Sequence, residues 1–132
     1  MTLTSQAQLE VHSDPTIRRF EVEVGQLWPY VAPLMARYQG VTSDAELALS
    51  ELTESLKRKA ANPLAVNLAN DLRALLPGWR YFTAAQRAVL RTAAAYLLEN
   101  NDATPDDSPD GMADDDAVVA AAIRVLLRRS RL

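Results

Sequence analysis

The chain has 132 residues, 48% hydrophobic and 23% charged, fractions that indicate one globular domain and exclude a wholly disordered chain. Its formal net charge of −3 disfavours a nucleic-acid binder, because such proteins usually carry a strongly basic face. The lack of cysteine excludes disulfides, thiolate nucleophiles and cysteine-based zinc sites.

The N-terminal stretch, MTLTSQAQLEVHSD, is polar and has no periodic pattern. It has no basic start followed by an apolar run, so we expect no secretory signal. The longest unbroken apolar run, residues 117–123, is far shorter than the ~20 residues of a membrane-spanning helix. We therefore predict a soluble, cytoplasmic protein that is not attached to a membrane, with a flexible arm over residues 1–15 and a single helical domain over residues 16–132.

The first apolar pattern of the domain is ambiguous. Phe20, Val22 and Val24 alternate with glutamates, and this period of two could form one short strand. The next segment, residues 26–38, has apolar residues at helical spacing but contains Pro33. Because proline removes a backbone hydrogen bond inside a helix, the pattern predicts a helix with an irregular start or a kink.

Capping motifs predict where the middle helices begin. Ser43 and Glu46 match a capping box, in which the two side chains satisfy the first free amides of a helix. Asn62, followed by proline, should cap the next helix. The leucine stripe of that helix is Leu64, Leu68, Leu72 and Leu75. The run WRYF at residues 79–82 comes just before another cap, and we interpret its aromatic rings as closing one end of the core.

Two more helices are predicted in the C-terminal part. Thr83 and Gln86 form a second capping box, for a helix that ends near Asn100. The last helix should open on Asp114 or Asp115. Five helices with mostly short connections predict an all-α fold, a compact bundle of about five helices with an acidic Pro/Gly loop before the last helix.

The segment before the last helix stands out in composition, since residues 99–116 contain eight acids and no base. Numbered from Asp106, it places oxygen ligands and a glycine at the spacing of an EF-hand calcium loop. The metal ligands on this interpretation are Asp106, Ser108, Asp110 and Asp114. Ala117, however, stands where the bidentate glutamate of such a loop is expected.

Two other interpretations of the acidic segment do not need a cation. Aspartates at the start of a helix complement its positive end, and the prolines stiffen the connection, so the segment could be purely structural. It could also be an acidic surface for another protein. The tentative interaction residues are Asp102, Asp106, Asp107, Asp110, Asp114 and Asp115.

The run YLLENNDATPDDSPDGMADDDAVVAAAI, residues 96–123, resembles the signature of the YkvA-like domain of unknown function. That family carries a helix, Asp-x-x-Pro-Asp, a second proline, a glycine, an Asp-Asp pair and an Ala/Val-rich helix. The residues that match in order are Asp102, Pro105, Asp106, Pro109, Gly111 and two of Asp114, Asp115 and Asp116. The spacing after Pro109 is one residue short, and polar residues replace the large apolar ones that usually flank the prolines. The resemblance implies a fold segment and no particular reaction.

Catalysis has little support in the sequence. His12 is the single histidine and lies in the predicted arm, and the four glycines are too far apart to form a phosphate loop. We therefore predict a protein that is not an enzyme, a small protein-interaction or adaptor domain of YkvA-like type that needs no cofactor. The alternative is a calcium-responsive module that binds the cation within residues 106–116. The expected partner is another protein of unknown identity rather than nucleic acid.

Overall fold

The computed structural model describes residues 14–38, 45–98 and 109–128, and these ranges are helical without any strand. The α-helices are α1 (Pro15–Val24), α2 (Trp28–Tyr38), α3 (Ala45–Lys59), α4 (Val66–Arg73), α5 (Ala84–Leu98) and α6 (Pro109–Arg128). Two 3-10 turns, Gly25–Leu27 and Leu76–Tyr81, precede α2 and α5. The prediction of an all-α bundle is confirmed, and the described residues contain one α-helix more than the five expected. The arm predicted over residues 1–15 lies, up to residue 13, outside the described residues.

The additional helix is α1, and the strand interpretation of residues 20–24 is wrong. The side chain of Asp14 accepts a hydrogen bond of 2.8 Å from the amide of Thr16, and Pro15 occupies the first helical position. Both features favour a helix start. Val22 is 78% exposed. The side chains that α1 buries are spaced three and four residues apart: Ile17, Phe20 and Val24.

The chain leaves α1 through Gly25, whose φ of 66° is a backbone conformation that disfavours side chains with a Cβ atom. A 3-10 turn begins at this glycine and leads directly into α2. It lies before Pro29 and is not the irregularity that the sequence predicts from Pro33, which stays a prediction. Pro33 lies inside α2 without ending it. The rings of Phe20 and Trp28 meet edge to face with centroids 6.0 Å apart, which packs the two helices together.

Helix α4 begins at Val66, three residues after the predicted start. The side chain of Asn62 accepts a hydrogen bond of 2.9 Å from the amide of Leu64, which closes a local turn instead of capping a helix. Leu64 is consequently 58% exposed, and its assignment to the buried stripe is wrong. The other three leucines of the stripe are buried as predicted: Leu68, Leu72 and Leu75.

Helix α5 lies at the centre of the bundle and packs against each of the other five α-helices. Its predicted capping box is confirmed, since the amide of Gln86 donates to Thr83 Oγ1 at 3.1 Å and the amide of Thr83 donates to Gln86 Oε1 at 2.7 Å. Residues 92–97 are buried without interruption. A helix that is buried all round in this way forms the interior of the domain.

Helix α6 begins at Pro109, five residues before the predicted start at Asp114. Residues 109–113, predicted as loop, are helical, and residues 99–108 lie outside the described residues. Of the four residues that the apolar spacing predicts this helix to bury, Val119, Ala122 and Leu126 are buried and Ile123 is partly buried. Across the described ranges, none of the helices combines the length and the apolar character that crossing a membrane requires.

Candidate functional site

The predicted acidic site is only partly described by the structure. Four of its residues lie outside the described ranges: Asp102, Asp106, Asp107 and Ser108. Asp110 lies in the first turn of α6. Asp114 is half-buried, and its Oδ2 atom is buried and accepts no hydrogen bond from a described residue.

Asp115 is a core residue and not the surface residue that the sequence interpretation assumed. Its side chain has no exposed surface. Because α6 begins at Pro109, Asp115 lies in the second turn, on the same face as the buried Val118, Val119 and Ala122. A partner that docks on the surface of the bundle does not reach this carboxylate, so we remove Asp115 from the interaction residues.

The part of the predicted calcium loop that is described is helical. An EF-hand loop uses a sharp bend at its glycine to turn successive ligands toward the cation. Here Gly111 lies inside α6, and so do Asp110 and Asp114. Among the described residues, no group of three or more acidic or histidine side chains lies close enough together to hold a metal ion. Since Asp106 and Ser108 lie outside these ranges, calcium binding stays a prediction.

The structure draws attention to a different segment, the 3-10 turn Leu76–Tyr81, which we call the Tyr81 turn. It points its two aromatic residues in opposite directions. Trp79 is only 2% exposed and belongs to the core, whereas Tyr81 is 88% exposed. The interpretation of the aromatic run as a closure of the core is therefore right for Trp79 and for Phe82, which is partly buried against the core, and wrong for Tyr81.

Arg87, one turn into α5, holds the Tyr81 turn in place. Its Nε atom donates a hydrogen bond of 2.9 Å to the carbonyl of Trp79, and its Nη2 atom donates a longer one of 3.4 Å to the carbonyl of Arg80. The guanidinium also lies over the Trp79 ring, 5.3 Å from its centroid. The planar guanidinium donates to the two backbone carbonyls and stacks on the Trp79 ring at the same time, whereas the compact ammonium of lysine has no planar face to stack.

A second contact connects the turn to α3. Arg80 Nε lies 3.3 Å from Glu46 Oε1, and both side chains are largely exposed. Leu47 follows Glu46 in the chain and is also exposed. Leu47 and Tyr81 each follow one partner of this ion pair in the chain, and we call Leu47, Arg80 and Tyr81 the aromatic patch.

A small open cleft of about 130 Å³ lies between α2, α3 and α5. Its polar lining comes from Glu51, Ser55 and Arg91, and the Arg91 guanidinium lies 4.4 Å from the centroid of the Tyr38 ring. The volume is below the ~300–1,000 Å³ of typical small-molecule sites. The cleft is therefore a weaker candidate than the aromatic patch.

One feature of the sequence predicts that an aromatic side chain of the WRYF run is exposed. Trp79 and Tyr81 are separated by a single residue, and two aromatic rings at that spacing seldom face the same side of a tight turn with three residues per turn. No protein-family model, curated protein or solved structure matches the chain, so the resemblance to the YkvA-like domain stays a prediction and the functional argument depends on the geometry of the patch.

Proposed function

We propose that this protein is a small, non-enzymatic protein-interaction domain that acts as an adaptor, and that Tyr81 is the side chain on which a partner docks. The observation that carries the proposal is an aromatic ring, 88% exposed, on a turn that the hydrogen bonds of Arg87 hold in place. Tyrosine and arginine are the residues in which the binding energy of protein interfaces is concentrated.

The support from energetics is that the turn is already ordered. Binding is weakened when loops and side chains must be ordered on association, at about 0.5–1.5 kcal/mol for each flexible side chain. The backbone of Tyr81 needs no such ordering, because the preceding residues are hydrogen-bonded to α5. A partner with a matching pocket would therefore bury the Tyr81 ring and Leu47 with little loss of entropy, because the turn is already ordered.

The acidic residues keep a secondary place in this proposal. The candidates for contacts with a basic partner stay Asp102, Asp106, Asp107, Asp110 and the half-buried Asp114. A YkvA-like relationship is compatible with the proposal, because that family supplies no competing activity.

The experiment compares cross-linked partners of three proteins in native cell extract: the wild type, Tyr81→Ala and Val22→Ala. Val22 is the matched control, since it is an apolar side chain that is 78% exposed on α1. We expect at least one direct partner, verified with purified components, whose affinity falls by roughly 30-fold in Tyr81→Ala, as for a hot spot of about 2 kcal/mol. Val22→Ala should change this affinity by less than about twofold.

The same binding measurement in excess EGTA distinguishes the adaptor proposal from the calcium-responsive alternative. The adaptor interaction should persist in excess EGTA, because none of the patch residues is a cation ligand. Equal binding by Tyr81→Ala and the wild type would refute the role of the patch. Loss of every partner in EGTA would favour the calcium-responsive alternative.

A further inference from the structure

The cleft between α2, α3 and α5 is lined by one stripe of residues from α3 and another from α5. Residues three or four positions apart lie on the same face of a helix, and both stripes have that spacing. The α3 stripe is Ala48, Glu51, Leu52 and Ser55. The α5 stripe is Arg91, Ala95 and Leu98. Because α3 packs against α5, the two stripes share one cleft, and Tyr38 at the end of α2 completes it.

Two polar side chains of the α3 stripe lack a partner among the described residues. Glu51 is exposed and forms no ion pair there, and Ser55 is half-buried and its hydroxyl forms no hydrogen bond there. Arg91, on the α5 stripe, is half-buried, and its guanidinium lies 4.4 Å from the centroid of the Tyr38 ring. That stacking explains Arg91 as a packing residue. It does not explain why a carboxylate and a hydroxyl line the same cleft.

The size of the cleft restricts the ligand to a small metabolite. Its volume is about 130 Å³. A closed cavity of about 150 Å³ binds benzene, so a cleft of this volume holds roughly six non-hydrogen atoms, and a few more where it opens to solvent. A nucleotide or a sugar phosphate is therefore too large for it.

We propose that this cleft binds a small zwitterion, a free amino acid with a short aliphatic side chain. The Arg91 guanidinium binds the carboxylate of the ligand, and the Ser55 hydroxyl donates to the same group. A planar guanidinium suits this role because it donates two parallel hydrogen bonds to a carboxylate. The Glu51 carboxylate binds the ammonium of the ligand, and Leu52 and Leu98 contact its aliphatic carbons.

A zwitterion fits the charges of the cleft better than a simple anion or cation does. Among the described residues, Arg91 and Glu51 are the only charged side chains that line it. The Glu51 carboxylate repels an anion and the guanidinium repels a cation, whereas a zwitterion places each of its charges beside the opposite one. Tyr81 does not line the cleft. This inference is therefore independent of the docking function proposed for Tyr81, and the two tests can fail separately.

The test titrates the full chain, labelled with nitrogen-15, and follows the backbone amide shifts by NMR. Three probes differ by one group each: L-valine carries both charges, isovalerate lacks the ammonium and isobutylamine lacks the carboxylate. L-Valine should bind with a Kd of roughly 1 mM, as expected for so small a ligand, and should shift the amides of the two stripes. Isobutylamine should bind at least about tenfold more weakly, because it loses the contact with Arg91. Isovalerate should bind about three- to fivefold more weakly, because an exposed ion pair with Glu51 contributes less.

The variant Glu51→Gln removes the charge that binds the ammonium and keeps the shape of the side chain. The affinity for L-valine should fall about three- to fivefold, and the affinity for isovalerate should not fall. The matched control is Glu54→Gln, which makes the same change at an exposed position of α3 outside the cleft. It should change the affinity for L-valine by less than about 1.5-fold.

A second variant, Arg91→Lys, keeps the positive charge but loses the planar donor group, so both L-valine and isovalerate should bind at least about fivefold more weakly. Thermal melting shows whether this variant is folded. If it is not, the comparison of Glu51→Gln with Glu54→Gln decides alone, because both side chains are exposed. The proposal is overturned if L-valine causes no saturable shifts up to about 50 mM, if the shifts lie outside the two stripes, if isovalerate binds as well as L-valine, or if the two glutamine variants behave alike.

Discussion

Replacing Arg87 with alanine should free the Tyr81 turn from α5 and destabilise the domain by about 2–3 kcal/mol. The side chain donates one hydrogen bond of good length, to the carbonyl of Trp79, and stacks on the Trp79 ring. A hydrogen bond from a charged donor contributes about 1.5–3 kcal/mol, and stacking at a partly exposed site adds about 0.5–1 kcal/mol. Because Arg87 is partly solvated, we use the lower half of this combined range.

The expected change in melting temperature follows from the size of the chain. An unfolding entropy of about 2.1 cal/mol/K per residue over 132 residues gives roughly 0.28 kcal/mol/K, so Tm should fall by about 7–11 °C. Urea unfolding measures the free energy directly. Hydrogen exchange should also accelerate at the amide of Phe82, which donates to the carbonyl of Trp79 at 3.2 Å.

The control for this prediction is Arg124→Ala. Arg124 Nε lies 3.2 Å from Glu23 Oε1 in a partly exposed ion pair, and such pairs contribute less than about 1 kcal/mol. If Arg124→Ala and Arg87→Ala destabilise the domain equally, or if exchange at Phe82 is unchanged, the turn is not held by Arg87 and our account of Tyr81 loses its physical basis.

Three other predictions concern the core, the first turn and the acidic segment. Leu97→Ala should cost about 2–5 kcal/mol in urea unfolding because the side chain is fully buried, whereas Leu127→Ala at an exposed position should cost less than ~0.5 kcal/mol. Gly25→Ala should cost about 1–3 kcal/mol, since a Cβ atom there meets no neighbour and only the backbone conformation, φ 66° and ψ −125°, opposes it; an unchanged Tm would contradict this. Calcium at 1 mM should stabilise the protein by well under ~1 kcal/mol, and a gain near ~2.7 kcal/mol that Asp106→Asn/Asp110→Asn removes would make the calcium module the function.

The helical spacing of the apolar residues was sufficient to predict the fold class. The secondary structure was predicted wrongly where the same residues fit both a strand pattern and a helix pattern. The apolar residues Phe20, Val22 and Val24 have the period of two that is typical of a strand. A second set that shares two of them, Ile17, Phe20 and Val24, has the spacing of a helix. The Asp14 cap favours the helix. A longer window, which included the Asp-Pro start, would have favoured the helix.

The candidate sites were harder to predict because exposure is a tertiary property. Asn62 can cap a helix or close a turn with equal chemistry, and in the structure it closes a turn after which Ala65 is buried and Leu64 is exposed. In the same way, no sequence pattern says which of Trp79 and Tyr81 enters the core. Asp115 was misplaced because α6 begins five residues earlier than predicted, which puts this residue in the second turn, in line with the buried Val119 and Ala122, instead of at the exposed end of the helix.

The central position of α5 also has a consequence for how the chain is made. Residues 15–73 of the first four helices leave the ribosome before α5 does, yet the apolar faces of all four pack against that helix. A nascent chain that ends before Ala84 therefore lacks the helix that all four contact, although α3 and α4 already pack against each other. Helix α1 also packs against α6, so we expect apolar surface of the early helices to stay exposed to chaperones and proteases until both α5 and α6 are synthesised.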